Sequence, residues 1–169
     1  MNEKIIPSDQ ILTAVNGLGQ VITNYCHKHG GGIVFVCIMK GGFMFFSDLI
    51  KKVHYPIEVD FIRCSSYDGQ QQQELTLHNT LEADVKDKTV FLVDDILDTG
   101  NTMKALKKHF KNLGAKQVET VSAVYKENVD FPKHFYIYKQ PEGVDPWYIG
   151  YGMDGPKGYS RNLDTIHTL

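Results

Sequence analysis

This sequence has little of what a membrane protein, a nucleic-acid binder or a disulfide-built scaffold needs. Cysteine is scarce, at three among 169 residues, Cys26, Cys37 and Cys64. Their number is odd, no pair has a CxxC spacing, and each lies in apolar or strand-like surroundings, which points to reduced thiols and away from structural disulfides or zinc. An excess of either charge is also missing: 18 basic and 20 acidic side chains leave a formal charge of -2 and no broad basic field for nucleic acid or anionic lipid. Any phosphate-binding surface must therefore be local. The longest apolar run, Ile33–Met39, is too short to cross a bilayer, and residues 1–10 carry Glu3 and Asp9 with no apolar signal core. We expect a soluble cytoplasmic protein without membrane or nucleic-acid partners. No GxxxxGKS or GxxxxGKT run is present, and Gly30-Gly31-Gly32 precedes a strand-like run instead of following one, so neither a P-loop hydrolase nor a dinucleotide-dependent oxidoreductase is supported. The seven histidines show no ligand spacing.

What is present reads as one α/β domain spanning residues 1–169, since a chain that is 42% hydrophobic at this length can bury one sizeable core but hardly two. After Pro7-Ser8-Asp9, the apolar residues Ile11, Val15, Leu18, Ile22 and Tyr25 recur at helical spacing until the glycine triplet. Residues 33–39 form an unbroken apolar run rich in β-branched residues, and residues 89–93 are similar, of the kind buried on both faces of a parallel sheet. Helical stripes follow each of them, at Phe46, Leu49, Ile50 and Val53, and at Met103, Leu106, Phe110 and Leu113. Residues 57–61 alternate, which predicts a strand with one wetter face, and residues 118–125, 135–138 and 147–151 read as later strands. Strands alternating with helices predict a mainly parallel twisted sheet flanked by helices. Residues 65–79, with Gly69 and four consecutive glutamines at 70–73, are expected to form a mobile loop.

The segment with the most chemistry runs from Val90 to Thr102, where a buried strand delivers Asp94 and Asp95, then Asp98, to the turn Asp98-Thr99-Gly100-Asn101-Thr102 that opens a helix. Backbone N–H groups and threonine hydroxyls at a helix N-terminus can cradle a phosphate, and Gly100 permits close approach. Paired carboxylates can meet sugar hydroxyls or hydrated magnesium, which prefers oxygen ligands. The same residues also occur as ordinary helix caps and turns.

With its neighbours this segment resembles the 5-phosphoribosyl-1-pyrophosphate (PRPP) motif of type I phosphoribosyltransferases. The resemblance extends to their hypoxanthine-guanine branch through Met39-Lys40-Gly41-Gly42-Phe43, Val59-Asp60-Phe61-Ile62, Ser65-Ser66-Tyr67, Lys126, Gly150-Tyr151-Gly152-Met153-Asp154 and residues 159–163. It implies a single domain with a small base-binding hood, assembled as a homodimer or homotetramer, that uses Mg2+ and PRPP to convert hypoxanthine or guanine to IMP or GMP. Asp98 would be the general acid or base at the purine N7. Asp94 and Asp95 would face the ribose hydroxyls and magnesium, and Thr99, Gly100, Asn101 and Thr102 would hold the 5-phosphate. Lys40, Gly41 and Arg161 would meet the pyrophosphate, and the Met39–Lys40 peptide could be cis. Lys126 would donate to the purine O6, Trp147 would stack on the base, and Tyr148 would offer backbone groups to its edge. Asp154 would hold magnesium beside the pyrophosphate, and Ser66 and Tyr67 would begin a lid loop.

The sequence departs from the family pattern at Asn101, a position often basic in relatives, and in the prolines and glycines of residues 141–146 and 155–158. Both departures bear on which purine is preferred, and a xanthine-preferring relative is the alternative enzyme. A PRPP-sensing regulator that binds RNA or DNA would need a basic face or an added helix-turn-helix, and the chain carries neither.

Overall fold

The computed structural model describes residues 4–66, 75–78, 80–126, 131 and 134–169. Along the chain the elements are β1 (Lys4–Ile6), α1 (Ser8–His29), β2 (Ile33–Met39), α2 (Phe43–Ile50), β3 (Glu58–Ser66), β4 (Leu75–Leu77), β5 (Thr89–Leu97), α3 (Asn101–Asn112), β6 (Gln117–Tyr125), β7 (His134–Lys139), β8 (Tyr148–Ile149) and β9 (Ile166–Thr168).

Six strands form the main sheet in the order β4-β3-β2-β5-β6-β7, all parallel to their neighbours except β4, which pairs antiparallel with β3. The β-branched runs sit in the middle: β2 and β5 are buried on both faces and packed in register, Ile33 opposite Thr89 through Cys37 opposite Val93. Alternation within each strand divides the core in two. Ile33, Phe35, Cys37, Phe91 and Val93 meet α1 and α2, while Val34, Val36, Val90 and Leu92 meet α3 through Met103, Leu106 and Phe110. Each such fully buried side chain contributes roughly 1.5–3 kcal/mol. Helix α1 starts after an extended Pro7 and stops where Gly30, at φ 61°, turns left-handed and donates to the Cys26 carbonyl. Cys26 and Cys37 are buried free thiols, and burial pushes them up to about 11 and about 12. Among the described residues no helix is long and apolar enough to cross a membrane.

Several local expectations change. Helix α2 ends at Ile50, although Val53 beyond it is still buried. Leu113 caps α3 and is exposed, outside the stripe to which its spacing assigned it. The loop expected over residues 65–79 begins and ends in sheet, because Cys64, Ser65 and Ser66 pair with Leu77, Thr76 and Leu75. On β3 the wetter face is the apolar one: Val59 and Phe61 are 47% and 46% exposed, and Asp60 is buried. The Asp60 carboxylate accepts from the backbone N–H of Phe61 at 2.7 Å, Glu82 at 2.8 Å and Ala83 at 2.9 Å, which satisfies its charge and ties down the chain before β5. The strand expected at 147–151 is the two-residue β8, and β1 and β9 were not legible as strands. These three form a second sheet, β1-β9-β8, antiparallel throughout.

This topology also predicts where a ligand would sit. From β2 the chain moves outward to β3 and β4, then returns to β5 and proceeds through β6 to β7 in the other direction. The reversal leaves a crevice beyond the carboxyl ends of β2 and β5, the usual ligand site of an open parallel sheet.

Candidate active site

Both loops that flank the crevice come from the ends of those central strands. Beyond β2, the Met39–Lys40 peptide is cis, and Gly41 lies so close to Asp95 that a Cβ at Gly41 would fall on the Asp95 carboxylate. Glycine is required there for contact, since any side chain would displace the acid. Near the end of β5, the backbone N–H of Asp95 donates to the Asp94 carboxylate at 2.9 Å, and that of Ile96 to the Asp95 carboxylate at 2.8 Å. Burial, then the charge of Asp95, hold the Asp94 carboxyl well above the usual carboxylate range. Two acids so placed would be relieved by a cation or by the hydroxyl donors of a sugar.

Residues 98–102 follow. Gly100 adopts φ 75° as the N-cap of α3 and has no side chain with which to cap it, the Asn101 N–H donates to the Thr99 hydroxyl at 3.3 Å, and the Lys104 N–H donates to the Gly100 carbonyl at 2.8 Å. Asp94, Asp98, Thr99, Gly100 and Thr102 line a small cavity of about 80 Å³, on the scale of one phosphate group. Larger hollows of about 510 and 500 Å³ lie elsewhere, beside Leu77 and His109 and beside Tyr25 and Glu119. The small cavity, unlike these two, gathers the helix N-terminus, the threonine hydroxyls and the strand-end acids.

Asp98 is not the helix cap. Its carboxylate lies 3.0 Å from the Lys126 ammonium. Register explains the meeting: Leu97 of β5 stands opposite Tyr125 of β6, and the Lys126 N–H donates to the Leu97 carbonyl, so the next residue of each strand enters the crevice together. Burial alone would depress the Lys126 pKa, but hydrogen bonds and charge from Asp145 and Asp98 outweigh it and the value is raised, so the side chain stays an ammonium.

The small sheet and its connecting turns form a hood beside this loop cluster. Trp147 is 58% exposed, and its indole N–H donates to the Asp154 carbonyl at 2.9 Å, so it is free of the core. The Tyr148 ring is turned inward, its hydroxyl donating to Gln140 at 3.0 Å, which leaves only its backbone for a ligand. Gly150, Tyr151 and Gly152 are successively left-handed, at φ 87°, 49° and 99°. Tyr151 is held by its hydroxyl, which donates to Asp48 at 2.8 Å, and a Cβ at Gly152 would strike the Gly41 carbonyl. The hood is thereby clamped onto the loop after β2. Arg161 folds back on the same turn, donating to the Gly152 carbonyl at 2.6 Å and pairing with Asp154 at 2.6 Å.

Of the residues expected from the sequence, Asp94, Asp95, Asp98, Thr99, Gly100, Asn101, Thr102, Gly41 and Lys126 gather at the strand ends, with Lys40 on the same loop as Gly41. Trp147, Asp154 and Arg161 gather on the hood. Asp94, Asp95 and Asp154 do not form a three-carboxylate nest: among the described residues no three His, Cys, Asp or Glu side chains cluster as metal ligands. The oxygen donors at Asp94 and Asp95 fit magnesium held mainly by water and ligand oxygens, its common mode beside phosphates. Ser66 is the last residue of β3, and Tyr67 lies outside the described residues. Sequence reasoning missed Asp145, whose carboxylate lies 2.8 Å from Lys126, because an acid before proline reads as a turn. It also missed the clamp by Asp48 and Gly152, which is visible only in three dimensions.

The model of the phosphoribosyl transferase domain family matches residues 3–155, and the chain belongs to that family. Within it the chain falls in the hypoxanthine-guanine branch. It is 31% identical to the hypoxanthine phosphoribosyltransferase of Salmonella typhimurium, over 97% of this chain and 93% of that protein. It is also 31% identical to the hypoxanthine-guanine phosphoribosyltransferase of Staphylococcus aureus, over 100% of this chain and 94% of the relative. The crystal structure of a hypoxanthine phosphoribosyltransferase from Staphylococcus aureus superposes with a TM-score of 0.89 at 31% identity, covering 99% of this chain and 90% of that one.

Proposed function

We propose that this protein is a purine-salvage enzyme that transfers the 5-phosphoribosyl group of PRPP to N9 of hypoxanthine or guanine, giving IMP or GMP and pyrophosphate. The observation that carries this reading is the Asp98–Lys126 pair, 3.0 Å apart across the ends of β5 and β6 and directly beside the Thr99–Gly100 cradle. It joins a proton acceptor and a donor-only group to a phosphate site.

The N9–C1′ bond forms as the bond from C1′ to the pyrophosphate oxygen breaks, and the sugar carries positive charge in between. Residues 99–102 anchor the 5-phosphate, which fixes the sugar for in-line attack. Asp98 shares the proton at N7 of the purine, and its negative charge lies near the cationic sugar. Lys126 donates to O6. Its ammonium has no acceptor, so the 6-amino group of adenine would leave it unpaired, and a mismatch of that kind discriminates strongly. Trp147 covers the base and Tyr148 meets its edge through the backbone. Lys40, Gly41 and Arg161 receive the diphosphate, Arg161 by exchanging its Asp154 contact for phosphate oxygens. Asp94, Asp95 and Asp154 are the carboxylates that would hold magnesium, which would supply positive charge against that of the diphosphate.

The same reading includes assembly as a homodimer or homotetramer and a place in the cytoplasm. Half-exposed Val59 and Phe61 support the assembly as apolar surface that a second copy would cover. A steady-state assay with PRPP, magnesium and each of hypoxanthine, guanine, xanthine and adenine tests the activity. Formation of IMP or GMP with pyrophosphate is expected. Turnover of xanthine above both other oxopurines would move the enzyme to the xanthine-preferring class, and no turnover of any purine would overturn the reading.

A further inference from the structure

Lys126 faces two carboxylates, and the proposed reaction uses only one of them. Its ammonium lies 3.0 Å from Asp98 and 2.8 Å from Asp145, and the Asp145 contact is also a hydrogen bond. The lysine side chain is 14% exposed, whereas Asp98 and Asp145 are 63% and 77% exposed. A nearly buried cation thus bridges two acids from different parts of the fold, one after β5 and one on the hood before β8. The segment that carries Asp145 is itself held: the Gln140 amide donates to the Val144 carbonyl and accepts from the Tyr148 hydroxyl, so residues 140–148 are closed on themselves around a buried glutamine.

If Asp98 were the only partner of Lys126, the pair would tend to stay closed. The carboxylate that must meet N7 and the ammonium that must meet O6 would then bind each other, and an entering purine would have to break their full attraction. A second carboxylate on the hood side changes this balance. It offers the ammonium a partner that it can keep while it lets go of Asp98, and it holds the flexible lysine stem in one place.

Resting on the function proposed above, we propose that Asp145 is a positioning residue for purine recognition: it retains the Lys126 ammonium on the hood side so that Asp98 is released to the base as the purine enters. Asp145 itself touches neither the sugar nor the diphosphate. Its effect belongs to the purine and not to PRPP.

The test compares wild type, Asp145→Asn and Asp145→Glu in steady-state assays with hypoxanthine and guanine at saturating PRPP, and with PRPP at saturating purine. Circular dichroism melts accompany each variant, and the high exposure of Asp145 makes folding of both variants the expected result. For Asp145→Asn the KM for both oxopurines should rise roughly three- to tenfold, the scale of one partly exposed charged contact, while KM for PRPP stays within about twofold. Asp145→Glu, which keeps the charge, should recover most of the loss. An unchanged purine KM overturns the proposal, as does an equal rise in the KM of both substrates, or a failure of Asp145→Glu to recover where Asp145→Asn has lost. A wild-type enzyme that turns over no oxopurine would instead overturn the proposed function, so the two failures are distinct.

Discussion

At the scale of single residues the site is a set of charges that satisfy one another until a ligand arrives. Asp98 rests on Lys126, Arg161 rests on Asp154, and burial, then the charge of Asp95, disfavours the ionised form of Asp94. Each pair has a natural substitute in the proposed substrates: a purine edge for the first, a diphosphate for the second, a ribose or cation for the third. Asp98→Asn should therefore leave the fold and the PRPP KM nearly unchanged while turnover falls by roughly 10²–10⁴-fold, the range for loss of a general acid or base. Single-turnover kinetics on the folded variant checks this, and near-normal turnover would remove Asp98 from the chemistry. Trp147 offers a second test, because it is the only tryptophan in the chain and is 58% exposed. If it covers the base, IMP or GMP should quench or shift its emission, since stacking changes both its contacts and its exposure. Ribose 5-phosphate, which fills the cradle but carries no base, should do much less. A matching response to both ligands would point to general tightening of the site.

At the scale of elements, the strand that delivers Lys126 is kept in place by polar groups in its core. On β6, Thr120 and Ser122 are fully buried, and both bond the His134 ring from β7, at 2.8 Å to Nδ1 and 2.7 Å to Nε2. Ser122 directs its hydroxyl to the Val124 carbonyl, so the ring must donate from Nε2 and accept at Nδ1 from Thr120. This network is complete only with a neutral imidazole. Burial, and then the charge of Lys107, push His134 down to about 4 from an ordinary value near 6.5. The unfolded chain consequently binds this proton more readily than the folded one. The associated stability is fully present above about pH 6.5 and is lost as pH falls toward 4, by at most about 3 kcal/mol. Urea unfolding at pH 7.5 and 5 should show that loss, and it should be smaller in His134→Gln, which has no proton to gain. Equal pH dependence in the two proteins would assign the acid sensitivity to other groups.

On the scale of the whole molecule, the main sheet covers its two faces unequally. Val59 and Phe61 on β3 stay half exposed, although the Phe61 ring faces the buried Phe46 ring of the eight-residue α2 with centroids 5.5 Å apart. We expect sedimentation at micromolar concentration to give a mass of at least two 19.2 kDa chains, and Val59→Lys with Phe61→Lys to shift it toward one. A wild-type monomer would remove the assembly from the reading. Retained assembly in the double variant would place the contact on another face.

Much of this was legible in the chain. The runs at 33–39 and 89–93 were legible as central strands, because seven successive apolar residues in the first and four in the second need burial on both faces, and the turn Asp98-Thr99-Gly100-Asn101-Thr102 carries residue types that suit an anion. Local chemistry of that kind is written in adjacent positions. The rest depends on contacts between residues far apart in sequence. Strands β1 and β9 are three residues long and form only by pairing with each other and with β8, so no periodicity marks them. Asp60 is inside because the amides of Glu82 and Ala83 come to meet its carboxylate, and Val59 and Phe61 are left half exposed on the other face. Asp145 acquires its place because Lys126, 19 residues earlier, enters the same crevice. Residue types in adjacent positions set the main sheet, the strand-end turn and the family; which acid faces which cation was left to the tertiary fold, since ion pairs follow proximity in space and these partners are joined by the register of β5 on β6 and the return of the hood.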